Sequence, residues 1–218
     1  MLKTFSKGDR MIQNYILEHY AETEPIFVSD LPQGDISSSA LTQQLHALCE
    51  KGVIAKYDNG IYYIPRKNTV LNVNIGPTED SIARYKYISD GKTVKGFYSG
   101  HTLANQLGLS AQVPYIVEIV SNNTSARYRE VSIGKRRFIV RKSTITVDRS
   151  NVHVLQLLDF LKDADSYIDE DGEGARKGIY AFITFHHITH GDVDRYIRNY
   201  PLSVFRNYYE LDLQNVLE

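Results

Sequence analysis

The stretch Ser37–Pro65, SSSALTQQLHALCEKGVIAKYDNGIYYIP, constrains the fold more than any other. Leu41, Leu45, Leu48 and Cys49 fall at i, i+4, i+7 and i+8, which makes one apolar stripe on a helix. Ser39, Gln43 and Glu50 lie on the opposite side, flanked by Ala40, His46 and Ala47. Asp35 or one of the serines can cap the first free N–H groups. Gly52 ends the helix, because glycine takes positive φ at no steric cost. Val53–Tyr57 and Ile61–Ile64 are β-rich runs around Asp58-Asn59-Gly60, a strong hairpin signal.

What precedes this stretch extends the pattern. Met11, Ile12, Tyr15, Ile16 and Tyr20 predict a helix over 7–20, with Ser6 as a cap. Ile26-Phe27-Val28 predicts a short strand, and Ser29-Asp30-Leu31 a short helix or turn. The order helix, strand, short helix, helix, hairpin is that of a winged helix-turn-helix, whose last helix can enter a DNA major groove.

Charge divides the rest. The net charge is −1, so the chain as a whole is no generic polyanion binder. Residues 1–67 carry 7 basic and 8 acidic residues, residues 68–150 carry 12 and 6, and residues 151–218 carry 6 and 12. A basic middle and an acidic end point to different partners, or to each other. The single cysteine, Cys49, excludes an intrachain disulfide, and its position on an apolar stripe marks a small core residue. The N-terminus has no apolar signal core and no run spans a bilayer, so a cytoplasmic location with no membrane partner is expected.

The expected fold class is α+β. Residues 1–67 form the winged helix-turn-helix, and residues 75–218 a mixed domain ending in helices. In the second domain the pattern predicts a helix over Glu79–Asp90 and a strand at Lys95–Tyr98. A short helix over Thr102–Leu107 follows, capped by Ser99 or His101 and ended by Gly108. A buried strand over Tyr115–Val120 comes next, then a hairpin, Arg127–Ile133 with Arg136–Lys142, and another strand at Thr144–Val147. Helices are expected at Val152–Leu161, Asp192–Asn199 and Leu202–Leu213, and the apolar, aromatic run Ile179–Ile188 fits helix or strand, with helix favoured.

KGFYSGHTLANQLGLSAQVPYIVEIVSNN, from Lys95, has the form SG-x-x-LA-x-x-LGLS-x-Q-VP leading into a buried strand. The hairpin Val131-Ser132-Ile133-Gly134-Lys135-Arg136-Arg137-Phe138-Ile139 and the helix at 152–161 follow it. This series resembles AbiEi-type antitoxins of type IV toxin–antitoxin systems, the abortive-infection family, over roughly residues 7–165 with the winged-helix start included. The resemblance implies a protein without catalytic activity or cofactor. Its winged helix would bind inverted repeats at its own promoter and repress transcription. Its second domain would counter a nucleotidyltransferase-like toxin of the AbiEii type, functionally rather than necessarily by contact, in phage resistance.

The residues expected to meet double-stranded DNA are Ser37, Ser38, Ser39, Gln43, Gln44 and His46 on the helix, with Lys56, Asn59 and Tyr62 on the wing. Glutamine pairs with adenine edges, serine with any base, and Ala40 suits a thymine methyl. A second set, Arg127, Arg129, Lys135, Arg136, Arg137, Arg141 and Lys142, with Arg149 nearby, offers contacts for phosphate or for the toxin; charge that protects an exposed strand is its plainer reading.

Two clusters support an alternative, a metal-dependent nucleic-acid-processing enzyme. His186 and His190 stand at i, i+4, a zinc-binding spacing on a helix, beside His187. Asp163, Asp165, Asp169, Glu170, Asp171 and Glu173 form an acidic run, but without the EF-hand order. The HExxH pattern is absent, and packing for the histidines and a solvated loop for the acids are the expected roles. A winged helix that docks only protein is the remaining alternative.

Overall fold

Between Ile82 and Ala83 the chain divides into two units, each described here by itself. The computed structural model describes residues 7–34, 36–109, 113–168 and 173–217. Ser6, Asp35, Ser110, Ala111, Gln112, Asp169, Glu170 and Asp171, all part of the expectations above, lie outside them. The architecture is mixed α+β.

The first unit runs α1 (Lys7–His19), β1 (Pro25–Phe27), a 3-10 turn at Val28–Asp30, α2 (Ser38–Glu50), β2 (Ala55–Asp58) and β3 (Ile61–Tyr63). Then come the ribbon strands β4 (Arg66–Asn68) and β5 (Val73–Ile75), and α3 (Glu79–Tyr87), which carries the chain across the division. The three-stranded sheet has the order β1-β3-β2, antiparallel throughout. Its core joins Ile12 and Ile16 of α1, Ile26, Leu31, the Leu41–Leu45–Leu48 stripe of α2, Ile54 and Tyr62. The 3.6-residue period of α2 thus faces the core as its spacing predicts. Ser37 is the N-cap: its Oγ accepts the N–H of Ala40 at 3.2 Å. At the other end Gly52, at φ +68°, gives its N–H to the Cys49 carbonyl at 2.9 Å, and Val53 gives its own to Leu48 at 3.0 Å. This 5→2 and 6→1 pair is a Schellman stop, which satisfies carbonyls the helix leaves free.

The second unit continues with β6 (Gly96–Tyr98), α4 (Gly100–Gln106), β7 (Ile116–Ser121), β8 (Tyr128–Ile133), β9 (Arg136–Lys142) and α5 (Val152–Leu161). Helices α6 (Glu173–His186), α7 (His190–Tyr196) and α8 (Leu202–Glu210) complete it, with 3-10 turns at Ala164–Ser166, Ile197–Asn199 and Leu213–Asn215. The sheet order is β6-β7-β9-β8; β7 and β9 are parallel and the other pairs antiparallel.

Helix α5 is the centre of this unit. All of its residues except His153 are buried, because one side meets Phe97 and Val120 of the sheet and the other meets α4 and the C-terminal helices. A helix covered all round has to be apolar nearly all round. Its two buried polar residues are paired. Gln156 donates to the Tyr98 carbonyl at 2.9 Å, and Asp159 enters an ionic network described below. Residues Thr144–Val147 are not a strand, contrary to their β-rich composition. The Asn122 side chain instead bonds both the N–H (2.9 Å) and the C=O (2.7 Å) of Val147, so that backbone has no need of a ladder. No helix among the described residues is long and apolar enough to cross a membrane.

Candidate nucleic-acid interface

With Leu41, Leu45 and Leu48 turned into the core, α2 leaves Ser39, Gln43, His46 and Glu50 as one exposed stripe at i, i+4, i+7 and i+11, with Ser38 and Thr42 beside it. The stripe presents hydroxyl, amide and imidazole groups capable of donating and accepting hydrogen bonds. His46 Nδ1 lies 3.6 Å from the Glu50 carboxylate one turn on, both exposed. Ser37 is also exposed, but its hydroxyl is committed to the cap. Thr42, which the sequence reading passed over, belongs to this face; its hydroxyl donates back to the Ser38 carbonyl at 2.8 Å. Gln44 departs from expectation. It is half-buried with its Oε1 covered and unpartnered, because it stands one residue from Leu45 on the flank of the apolar stripe.

On the β2–β3 hairpin, Lys56 Nζ donates to Asn59 Oδ1 at 3.1 Å, and both are exposed at the tip. Gly60, at φ +73°, makes the turn. Tyr62 corrects the sequence reading: it is 7% exposed and belongs to the core. It sits on the central strand, paired with Ile26 on one side and Lys56 on the other, and burial raises its phenol pKa.

The basic set of the second unit does not form one patch. Arg141 is drawn inward, giving one guanidinium nitrogen to Ser99 Oγ at 2.6 Å and to Asp159 Oδ2 at 3.3 Å. Arg137 pairs with Glu130 at 2.8 Å across the β8–β9 hairpin, on the exposed sheet surface. Arg136 is half-buried, whereas Arg127, Arg129, Lys135, Lys142 and Arg149 are exposed. Of the expected phosphate or partner contacts, then, Arg141 is internal structure. The pull of Asp159, 60 residues from Ser99 and 18 from Arg141, was invisible in the strand pattern. Ser99 itself makes no side-chain cap for α4; its hydroxyl goes to Asp159.

The zinc spacing does not survive folding. Helix α6 ends at His186, His187 takes φ +52°, and α7 begins at His190, so the i, i+4 pair is on two different helices. His190 meets the Tyr208 hydroxyl at 3.3 Å. Among the described residues no group of three or more His, Cys, Asp or Glu side chains is placed to hold a metal ion. Within the acidic run, Asp165 pairs with Arg206 at the surface.

His186 instead stacks on His153, ring centroids 3.5 Å apart and 15° from coplanar. Its pKa is pushed down to about 4 by burial, with smaller contributions from His153 and His187. Below the ordinary imidazole range the unfolded chain takes up a proton that the folded chain refuses. Stability is therefore complete above about pH 6.5 and falls as the pH drops toward 4. The urea midpoint should be lower at about pH 5 than at about pH 7.5. His186→Phe keeps an aromatic ring there but cannot titrate, so it should shrink that difference; an unchanged difference would mean that the pair is solvated.

A family model described as a family of unknown function (DUF6088) matches residues 17–162, well over half of the chain. The match runs from within α1 to the end of α5, so it takes in parts of both units and stops before α6. No curated protein matches the chain.

Proposed function

We propose that this chain, which belongs to the DUF6088 family of unknown function, is a sequence-specific DNA-binding repressor of its own promoter and the antitoxin of a toxin–antitoxin pair. The observation that carries the DNA reading is the exposed Ser39–Gln43–His46 stripe. It lies on a helix capped at both ends, followed directly by a hairpin whose tip bears Lys56 and Asn59. In this reading α1, the Val28–Asp30 turn, α2 and the β1-β3-β2 sheet are a winged helix-turn-helix, with the usual second helix shortened to a single 3-10 turn. Helix α2 lies in the major groove, Gln43 reads an adenine edge, and Ser39 supports a neighbouring base. Lys56 and Asn59 reach the phosphate backbone and carry no sequence information themselves. A module with more acidic than basic residues has little nonspecific attraction to a polyanion, so its affinity rests on base contacts and on the occupation of both halves of an inverted repeat.

The antitoxin role rests on the likeness of residues 95–161 to AbiEi-type antitoxins. Arg127, Arg129, Lys135 and Lys142 are exposed cations of the second unit and suit an acidic partner. The enzyme alternative gains no support from the geometry, since His186 and His190 are on separate helices.

The test is a titration of the full chain against its own upstream DNA, paired with co-expression beside any neighbouring nucleotidyltransferase-like gene. Each good base contact contributes about 1–3 kcal/mol of discrimination. Ser39→Ala with Gln43→Ala should therefore weaken specific binding by about tenfold or more and leave binding to unrelated DNA unchanged. The wild-type chain should also rescue growth from the toxin. Equal affinity of the double variant for upstream DNA would remove α2 as the reading element, and failure to rescue would remove the antitoxin role while leaving the DNA reading intact.

A further inference from the structure

The second unit contains a cavity of about 510 Å³ that DNA recognition does not use. It opens between β6, α4, the first turn of α5 and α6. Phe97, Leu103, Val152 and Phe182 supply an apolar wall, and Gln106 and Gln156 supply amides. The His153–His186 stack closes one side, with Phe182 edge-on to His186 at 4.5 Å and 63°. The Nδ1 of His153 is covered, and the Gln156 side chain lies beside that ring. Two arginines stand at the mouth: Arg84 from α3 and Arg149 from the segment before α5, both exposed.

These groups divide by chemistry. The size is that of a small-molecule site, and so is the lining: mostly apolar, with a few convergent polar groups. The flat rings offer a stacking surface for a planar heterocycle. The Gln106 amide can pair with the edge of such a ring. The two guanidiniums at the mouth suit the anionic end of the same molecule, since arginine binds phosphate oxygens in a bidentate fork. Burial keeps both imidazoles neutral near pH 7, so the inner cavity takes an uncharged ring and the charge stays at the entrance. An apolar ligand would waste the arginines, and a bare anion would leave the aromatic wall uncovered.

We propose that this cavity binds a nucleoside monophosphate, base inward against the histidine stack and Phe182, phosphate at Arg84 and Arg149. The site is independent of the DNA reading, which concerns the first unit alone, and failure of one leaves the other standing.

Calorimetric titration of the full chain with AMP, GMP, CMP and UMP tests it, with the matching nucleosides and inorganic phosphate as separate probes. At least one mononucleotide should bind, and its nucleoside and inorganic phosphate should each bind at least tenfold more weakly. Arg84→Ala with Arg149→Ala should weaken the mononucleotide about tenfold or more. Both positions are exposed, and the variant gives up only the long bond from Arg149 to the Lys92 carbonyl at 3.5 Å, so its melting temperature should stay close to that of the wild type. His186→Leu should weaken nucleotide and nucleoside alike, which the arginine variant should not do. Three results would overturn the proposal: no mononucleotide bound at millimolar concentration, inorganic phosphate bound as tightly as the nucleotide, or nucleotide affinity unchanged in the arginine variant.

Discussion

Asp159→Ala should destabilise the second unit by about 3–5 kcal/mol, the range for removing one partner of a buried ionic network. The carboxylate is 6% exposed. One oxygen accepts from Ser99 and from Arg141, and the other faces Lys162 one turn along α5. Arg141 also donates to Ser99 Oγ at 2.6 Å, so three elements meet at one acidic side chain: the entrance to α4, strand β9 and helix α5. Deleting the carboxylate strands a guanidinium and an ammonium that are each roughly three-quarters covered (27% and 22% exposed), and leaves the Ser99 hydroxyl proton without its acceptor in a residue that is 1% exposed. Uncompensated charge, more than the lost attraction, sets the cost. Asp159→Asn keeps an acceptor oxygen and should recover part of the loss. Ser99→Ala removes one hydrogen bond and should cost about 1 kcal/mol. Urea unfolding followed by near-ultraviolet dichroism of the tyrosines measures all three. If Asp159→Ala fell within about 1 kcal/mol of wild type, water would be replacing the carboxylate and the network would not organise the unit.

That network also marks the limit of what the sequence discloses. The face of α2, its serine cap and its glycine stop are legible because each is set within a few residues: a 3.6-residue period, a hydroxyl three positions from an N–H, a positive φ. The α5 limits, Val152 and Leu161, are equally legible from their apolar run. Arg141 is a different case. Strand alternation places it on a face with Arg137 and Ile139, but alternation is silent on what covers that face. The covering helix brings Asp159, and only the parallel β7–β9 pairing fixes where along β9 the two meet. The same holds for Tyr62, expected on the hairpin surface and found in the core. A hairpin pattern identifies β3 without revealing that β1 pairs on its far side and makes it the central strand. The His186–His190 spacing, for which packing is the expected role, spans two helices because the αL backbone at His187 interrupts them, a conformation histidine adopts more readily than β-branched residues. The stack of His153 on His186 joins positions 33 residues apart, beyond any local periodicity.

Gly96→Ala should be as damaging as loss of the carboxylate, about 3 kcal/mol or more, through pure steric conflict. A Cβ at this position would lie 2.3 Å from the Tyr87 carbonyl oxygen and 2.4 Å from that of Val120, with the Ser121 Cα at 3.1 Å. All three are backbone atoms, so no side chain can swing aside. They are also held in place: Gly96 pairs with Ser121 in the β6–β7 ladder, and the Ser121 hydroxyl donates to the same Tyr87 carbonyl at 2.5 Å. Relief therefore requires β6 to leave β7 or the end of α3 to leave the sheet. Gly100 differs in kind. It has φ +57°, and an added Cβ would meet the Glu118 carboxylate, a movable group. Its cost combines backbone strain with loss of the bond from the His101 N–H to Glu118 at 3.2 Å, and should be smaller. Gly174, in α6 with nothing within 4 Å of an added Cβ, is the control. Alanine there should be neutral or stabilising by up to about 1 kcal/mol, as for glycine replaced in an open helix. The ordering Gly96, Gly100, Gly174 in melting temperature distinguishes close backbone approach from conformational strain and from neither. A Gly96→Ala protein as stable as wild type would mean that β6 is not clamped between α3 and β7, and the cavity wall built on Phe97 would lose its anchor with it.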